Sequence, residues 1–318
     1  MLHSCRRLRV LTWHVHGNYL YYLSQAPHDF FLVTKPGYPP GYAGANGSLP
    51  WGGNVHEVGI DEVATRDFDV VLYQHREHWE HDRENVLSAA QRRLPRVYIE
   101  HDPPMENPYQ QWHWVDDPGT LLVHVTHFNQ LMWDCGATPT RVIEHGVVVP
   151  EGVRYSGERE CGIVVVNHLA QRGRRLGADV FTQMRSQVPL DLVGMDAQSC
   201  CGIGEIGNME LAAFIARYRF FFNPIRWTSL GLAVVEAMTI GMPVVGLATT
   251  ELSTVIRNGE NGFIHTSNQA LCDSMHMLLR DPSLARVLGA NARRTALERF
   301  HIDRFVQDWH DTLTQVTA

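Results

Sequence analysis

The side chains best suited to chemistry gather in Phe221–Gly246, FFNPIRWTSLGLAVVEAMTIGMPVVG, where one carboxylate, Glu236, stands inside an apolar helical run. Gly231 opens that run. Unpaired N–H groups and the positive dipole end at a helix entrance favour an anion such as a diphosphate, and a glycine lets it approach the backbone closely. Glu236 follows just over one turn later, within reach of sugar hydroxyls beside such a phosphate. Upstream, Gln171–Gly177 reads QRGRRLG, a basic stretch punctuated by glycine. Guanidinium groups bind a diphosphate bidentately and stabilise the charge that develops on a leaving group. Arg172 is the first candidate for that task, then Arg175 and Arg174. A third candidate, His101, ends the strand-like run RVYIEHD with Asp102 beside it.

These groups need strands and helices to hold them. Phe220-Phe221-Phe222 reads as a buried strand ended by Asn223-Pro224, and Val244-Val245-Gly246 as a second, released by Gly241-Met242-Pro243. Thr228 and Ser229 are good N-cap residues for the helix between them, which carries Leu232, Val235 and Ala237-Met238. Further strands are expected at 9–13, 29–34, 69–74, 96–99, 120–125 and 141–144, then at 161–167 and near Asp191–Gly194. Helices are expected from Tyr19, over 83–94 and over 178–187. Such alternation is the pattern of parallel sheets with crossover helices, whose ligands bind beyond the carboxyl ends of the strands. By that rule Gly17, His101, Asp102 and Gly146 face a ligand. The last segment, 300–316, repeats apolar residues from Phe300 to Val316 with helical spacing.

The 221–246 stretch resembles the donor-binding signature of family 4 (GT-B) retaining glycosyltransferases, of the glycosyl transferases group 1 type. Pro224, Gly231, Leu232, Glu236, Ala237, Met238, Gly241, Pro243, Val244 and Val245 carry the likeness. The first Glu of the family pattern falls on Thr228 here, eight positions before Glu236, so the residue near the transferred sugar differs. Gly17-Asn18, His101-Asp102, His145-Gly146-Val147 and Ile206–Leu211 also have counterparts in the family. The resemblance implies an α/β GT-B fold, two Rossmann-like domains with a cleft between them. An acceptor-binding domain would span 1–150, with a hinge at about 148–160. A nucleotide-sugar donor domain would span 151–299, and a helix at 300–318 would cross back toward the first. The resemblance also implies transfer of a sugar from a nucleotide-diphosphate sugar to an acceptor hydroxyl with retention, without a metal or other cofactor. His101 and Glu236 would be the catalytic pair. Gly17, Arg172, Arg174, Arg175, Thr228, Gly231, Leu232 and Glu236 would bind the donor. The expected setting is cell-surface glycan biosynthesis, with a glycan or lipid-linked acceptor. A non-catalytic GT-B protein that binds a glycan or nucleotide sugar, or serves as a transferase subunit, is the alternative.

Composition fits this scheme. At 318 residues the chain exceeds the usual size of one core, and two halves of about 150 residues are the natural partition. A net charge of -7 argues against a nucleic-acid binder. Two local patches, Arg6/Arg7/Arg9 and Arg92/Arg93/Arg96, are candidates for peripheral contact with an anionic membrane. No run approaches the length of a membrane span, and the first residues lead straight into a strand, so the expected location is the cytoplasm. The six cysteines, Cys5 among them, show no metal-ligand spacing and read as reduced thiols. The Gly- and Pro-rich insert 35–54 offers Tyr38, Tyr42 and Trp51 as faces on which an acceptor sugar could stack. His75, His78 and His81 tempt a metal reading. Only i and i+3 share a helix face, however, and no fourth ligand accompanies them, so no metal is assigned.

Overall fold

The computed structural model describes residues 6–45 and 49–318, so Cys5 and residues 46–48 of the insert lie outside the described residues. The chain divides into two compact units, Met1–Gly146 with Ile302–Ala318, and Val147–His301.

The first unit is built on seven parallel strands. They are β1 (Arg9–Thr12), β2 (Asp29–Thr34), β3 (Val55–Gly59), β4 (Val70–Tyr73), β5 (Arg96–Glu100), β6 (Thr120–His124) and β7 (Thr140–Val142), in the order β3-β2-β1-β4-β5-β6-β7. β1 therefore has β2 on one side and β4 on the other, and the strand order reverses between β1 and β4. Central strands such as β4 are buried along their whole length, as their unbroken Val-Val-Leu-Tyr run requires. The edge strand β3 escaped the sequence reading because His56 and Glu57 interrupt its apolar pattern. Its register is nevertheless complete, from Phe30 opposite Val55 to Thr34 opposite Gly59. The connecting helices are short: α1 (Gly17–Leu23), α2 (Arg83–Asn85) and α3 (His127–Met132). The continuous helix expected over 83–94 does not form. A π-helical turn at His78–Asp82 runs into α2, and a separate 3₁₀ turn covers Gln91–Arg93. His78, Trp79 and Asp82 are the buried members of the π-helical turn.

The second unit has five parallel strands: β8 (Arg159–Val165), β9 (Leu190–Val193), β10 (Tyr218–Asn223), β11 (Val244–Leu247) and β12 (Gly262–His265). Their order is β12-β11-β10-β8-β9, which puts the reversal between β8 and β10. The covering helices are α4 (Leu169–Arg172), α5 (Ala178–Arg185), α6 (Asn208–Ile215), α7 (Leu232–Ile240), α8 (Leu252–Val255), α9 (Asn268–Arg280) and α10 (Pro282–Arg299). The core between the sheet and α5 and α9 is aliphatic and aromatic, from Val164 and Phe181 through Phe220 and Phe222 to Met275 and Leu278. Packing is close where α10 meets the turn after α7. A Cβ on Gly289 would stand 2.1 Å from the Gly241 carbonyl, so two backbones touch there. Burying apolar area of this kind contributes on the order of 25 cal/mol per Å².

α11 (Ile302–Thr317) belongs to the first unit. Phe305, Trp309, Thr312 and Leu313 face inward, and Trp309 donates its Nε1–H to the Tyr19 hydroxyl of α1 at 3.2 Å. Arg141 in β7 donates to Thr312 and Gln315, and Arg304 donates to the Glu144 and His145 carbonyls.

Candidate functional site

In the second unit the loops that leave β8, β10 and β11 are tied to one another. β10 ends at the buried Asn223, and the following turn folds over the basic stretch. The Arg226 and Trp227 N–H groups donate to the Arg175 carbonyl at 3.0 and 3.2 Å. Gly177 sits at φ +82°, and a Cβ there would stand 2.0 Å from the Pro224 carbonyl oxygen, so only glycine permits this approach. From β11, the Thr249 hydroxyl donates to the Ile225 carbonyl at 3.0 Å, and Thr250 to that of Ser229. These loops lie at the carboxyl ends of strands on either side of the reversal, where open α/β sheets hold their ligands.

The basic stretch is not an open loop. It folds into α4 and a 3₁₀ turn at Gly173–Leu176 before Gly177 starts α5. Arg174 donates to Asp179 at 2.5 Å. Arg226, which motif reasoning passed over, grips the same carboxylate with two bonds at 2.5 and 2.8 Å. Hydrogen bonding from Arg226 holds the Asp179 carboxyl below its usual range. Arg226 is thus a brace for the basic turns, visible in advance only as an unassigned cation in the signature.

The helix entrance differs from the sequence expectation in one respect that matters. α7 begins at Leu232 with Gly231 as its N-cap, and no side chain caps it. Thr228 and Ser229 lie in the preceding loop instead. A helix start without a side-chain cap leaves its first N–H groups for water or a ligand. A Cβ built on Gly231 meets nothing within 4 Å, so the entrance faces open space. Gly231 has φ -66°, which any residue adopts, so openness is what distinguishes it. Leu232 begins the helix, and Glu236 lies five residues beyond Gly231, buried with 8% of its surface exposed. Thr228 is half-buried.

In the first unit, Gly17 opens α1 just after β1, and His101 follows β5. The His101 ring lies 4.1 Å from that of His16 and meets the edge of Tyr19 at 4.7 Å. Burial, with His16 and His145 nearby, pushes the His101 imidazole well below its ordinary range, so it is neutral at neutral pH. The Asp102 carbonyl accepts from Trp133 Nε1 at 2.8 Å, and its N–H donates to Glu100 at 2.9 Å. Glu100, in the same RVYIEHD run, is a buried neighbour that sequence reasoning passed over. Burial pushes its carboxyl up to about 8, against the pull of the Asp102 and His101 N–H groups. Its second oxygen lies 3.0 Å from His113 Nε2.

The aromatic insert is not one platform. Tyr38 is half-exposed, and its hydroxyl reaches Glu57 at 3.3 Å. Trp51 lies edge-on to His14 and Tyr21. Tyr42 is a correction, because its ring is buried under the Lys35 ammonium and its hydroxyl donates to both Asp82 oxygens at 3.0 and 2.8 Å. It is a pillar of the insert, with no face open for stacking. Of the three tempting histidines, His78 is buried and stacks on Trp13 at 4.9 Å, while His75 and His81 are exposed. Among the described residues no group of three or more His, Cys, Asp or Glu side chains could hold a metal ion. Cys135, Cys161, Cys200, Cys201 and Cys272 are free thiols.

Within the two arginine patches, five of the six side chains have partners. Arg6 and Arg7 bridge Asp69 and Asp29, Arg9 donates to the Asp67 carbonyl, Arg92 bridges Glu84 and Arg96 bridges Asp117. No described helix is long and apolar enough to cross a membrane.

Residues 198–295, under a third of the chain, match the family model described as glycosyl transferases group 1. Over 98% of its length the chain superposes on sucrose-phosphate synthase from Thermosynechococcus elongatus, covering 99% of that chain at a TM-score of 0.73 and 16% identity. The fold is GT-B. The Anabaena HepE protein in complex with UDP is similar to this GT-B chain over 98% of its length and all of the other chain, with a TM-score of 0.70 and 15% identity. A segment is 30% identical over 83 residues to N-acetyl-alpha-D-glucosaminyl L-malate synthase of Bacillus anthracis, which is 26% of this chain and 22% of that protein. Another is 30% identical over 86 residues to trehalose synthase of Pyrococcus horikoshii, 27% of this chain and 21% of that one. The chain therefore matches about a fifth of each of these relatives' own length.

Proposed function

We propose that this protein is a nucleotide-sugar-dependent glycosyltransferase acting with retention in cell-surface glycan assembly. The observation that carries the reading is the open, uncapped entrance of α7 at Gly231, whose preceding loop is tied to Thr250 and to the turn that carries Arg175. The donor diphosphate rests on the N–H groups of Gly231 and Leu232, and the guanidinium groups share its charge as the sugar departs. Glu236 accepts hydrogen bonds from ribose or sugar hydroxyls, and His101 contacts the transferred sugar. The reading gives no step to a divalent ion, so transfer persists in the presence of a chelator. The UDP complex of HepE supports a nucleoside-diphosphate donor, and the group 1 match supports transfer chemistry.

The test is a thermal-shift screen against a panel of nucleotide sugars, followed by a transfer and slow-hydrolysis assay with whichever donor raises the melting temperature. A ligand at one hundred times its Kd stabilises by about 2.7 kcal/mol, a shift of a few degrees. A donor that binds and is hydrolysed or transferred supports the enzyme. One specific observation favours a second reading: Thr228 stands where the family carries its first Glu, beside the sugar. Donor binding with neither hydrolysis nor transfer would make the protein a non-catalytic nucleotide-sugar binder or transferase subunit.

A further inference from the structure

The first unit contains a polar staple across its strand-order reversal. Gln74 follows β4 directly and is buried, with 3% of its surface exposed. Its amide nitrogen donates to the Thr12 hydroxyl at 3.1 Å and to the Trp13 carbonyl at 3.0 Å, both at the end of β1. A backbone carbonyl only accepts, so the NH₂ of Gln74 must face Trp13 and its Oε1 must face the other way. That oxygen lies 3.3 Å from Nε2 of His101. An amide oxygen also only accepts, so a neutral His101 meets it with Nε2–H. The other ring nitrogen, Nδ1, then carries a lone pair and no proton.

We propose that Gln74 is a positioning residue that holds His101 as the Nε2–H tautomer, so that Nδ1 accepts a hydrogen bond from a substrate hydroxyl. The inference rests on the reading of His101 as a group that contacts the sugar, and adds which atom does so and what sets it. The groups facing the ring are consistent with it. His16 and His145 disfavour a second proton on the imidazole, and the Tyr19 ring meets it through an edge. Among the described residues no hydrogen bond to Nδ1 competes with a ligand. A glutamine serves here where a carboxylate would not. Glu at 74 could not donate to Trp13, and its charge would favour the imidazolium, which has no acceptor atom left. The ligand chemistry is a hydroxyl donor, of a sugar or an alcohol, rather than an anion.

The experiment is ¹⁵N NMR of the histidine-labelled full chain, with transfer kinetics on three variants. In the unsubstituted protein His101 is expected to show a protonated Nε2 and an unprotonated Nδ1. Gln74→Met keeps the side-chain length and removes the acceptor. It should move His101 toward the Nδ1–H form and lower kcat about tenfold while UDP affinity stays unchanged. Gln74→Glu should keep Nε2–H but move the acid limb of kcat/KM upward by about one pH unit, a shift that a merely structural role would not produce. An Nδ1–H tautomer in the unsubstituted protein, or an unchanged tautomer in Gln74→Met, would overturn the proposal. The first measurement needs no substitution, so a misfolded variant does not remove the test. Full transfer by His101→Ala would overturn the reading of His101 and with it the catalytic consequence of the staple, and that result comes from a separate protein.

Discussion

The two units use different chemistry to build the same kind of sheet. Fourteen of the eighteen histidines fall in 1–146 and 302–318, and only four in 147–301. Seven of the eight tryptophans are also in the first unit, Trp227 being the exception. The second unit instead offers a backbone device, a helix entrance without a side-chain cap whose preceding loop is tied to the turn of Arg174 and Arg175. A handle for a diphosphate needs N–H groups, glycine and fixed charge, which are features of local sequence. The first unit relies on side chains of distant strands brought together, such as Thr12, Gln74 and His101. One unit is therefore recognisable by motif, and the other only by its geometry.

The sharpest test of this contrast separates transfer from binding. His101→Ala should lower kcat by about 100-fold with UDP affinity in calorimetry unchanged. Glu236→Ala should lower both, because it removes a donor contact. Equal losses of UDP affinity in the two variants would break the division of labour. Gly231→Asp comes next. Aspartate is a favoured N-cap and its side chain would enter open space, so stability should hold or rise by a few tenths of a kcal/mol. UDP affinity should nevertheless fall about tenfold or more, because the new charge repels the diphosphate. A loss of stability instead would mean that Gly231 is structural.

Acid should separate the units as well. Burial pushes His28 down to about 4, and His78, His113 and His124 down to about 3, all in the first unit. These groups stay neutral when folded but take up protons when unfolded, below the ordinary value of 6.5. Stability is therefore present above 6.5 and lost as the pH falls toward 3 to 4. Tryptophan fluorescence, which reports almost wholly on the first unit, should show an acid transition at higher pH than hydrogen exchange within 147–301. A single shared transition would remove the contrast. The smallest effect is expected from Thr228→Glu at a half-buried loop position, a several-fold change in preference among nucleotide sugars with stability altered by less than about 0.5 kcal/mol. Unchanged preference would place Thr228 away from the sugar.

Much of the second unit was legible because its signals are local. The strand β10, the helix of Glu236 and the Gly241-Met242-Pro243 turn all stand within one continuous stretch. What misled was the cap: Thr228 and Ser229 have the right chemistry, but ties from Thr249 and Thr250 keep the loop extended as far as Gly231. The role of Arg226 was hidden for a related reason, since its partner Asp179 lies 47 residues away. In the first unit, β3 was missed because an edge strand need not be apolar, and the 83–94 helix is interrupted where the Ser88 and Gln91 side chains accept each other's backbone N–H and start a separate 3₁₀ turn. Tyr42 looked like a stacking face until its hydroxyl was seen on Asp82.

By itself the sequence determined the alternation of strands and helices, the glycine at the entrance of α7 and the carboxylate of Glu236 inside that helix. Those follow from periodicity, glycine and backbone polarity, which act over a few residues. Only the tertiary structure decided which arginines are braces, which aromatic residues are buried, and which nitrogen of His101 carries the proton. Each of those depends on a partner that is remote along the chain. A hydrogen bond or a pKa is set by what surrounds a group in space, and folding alone brings Thr12, Trp13, Gln74 and His101 together.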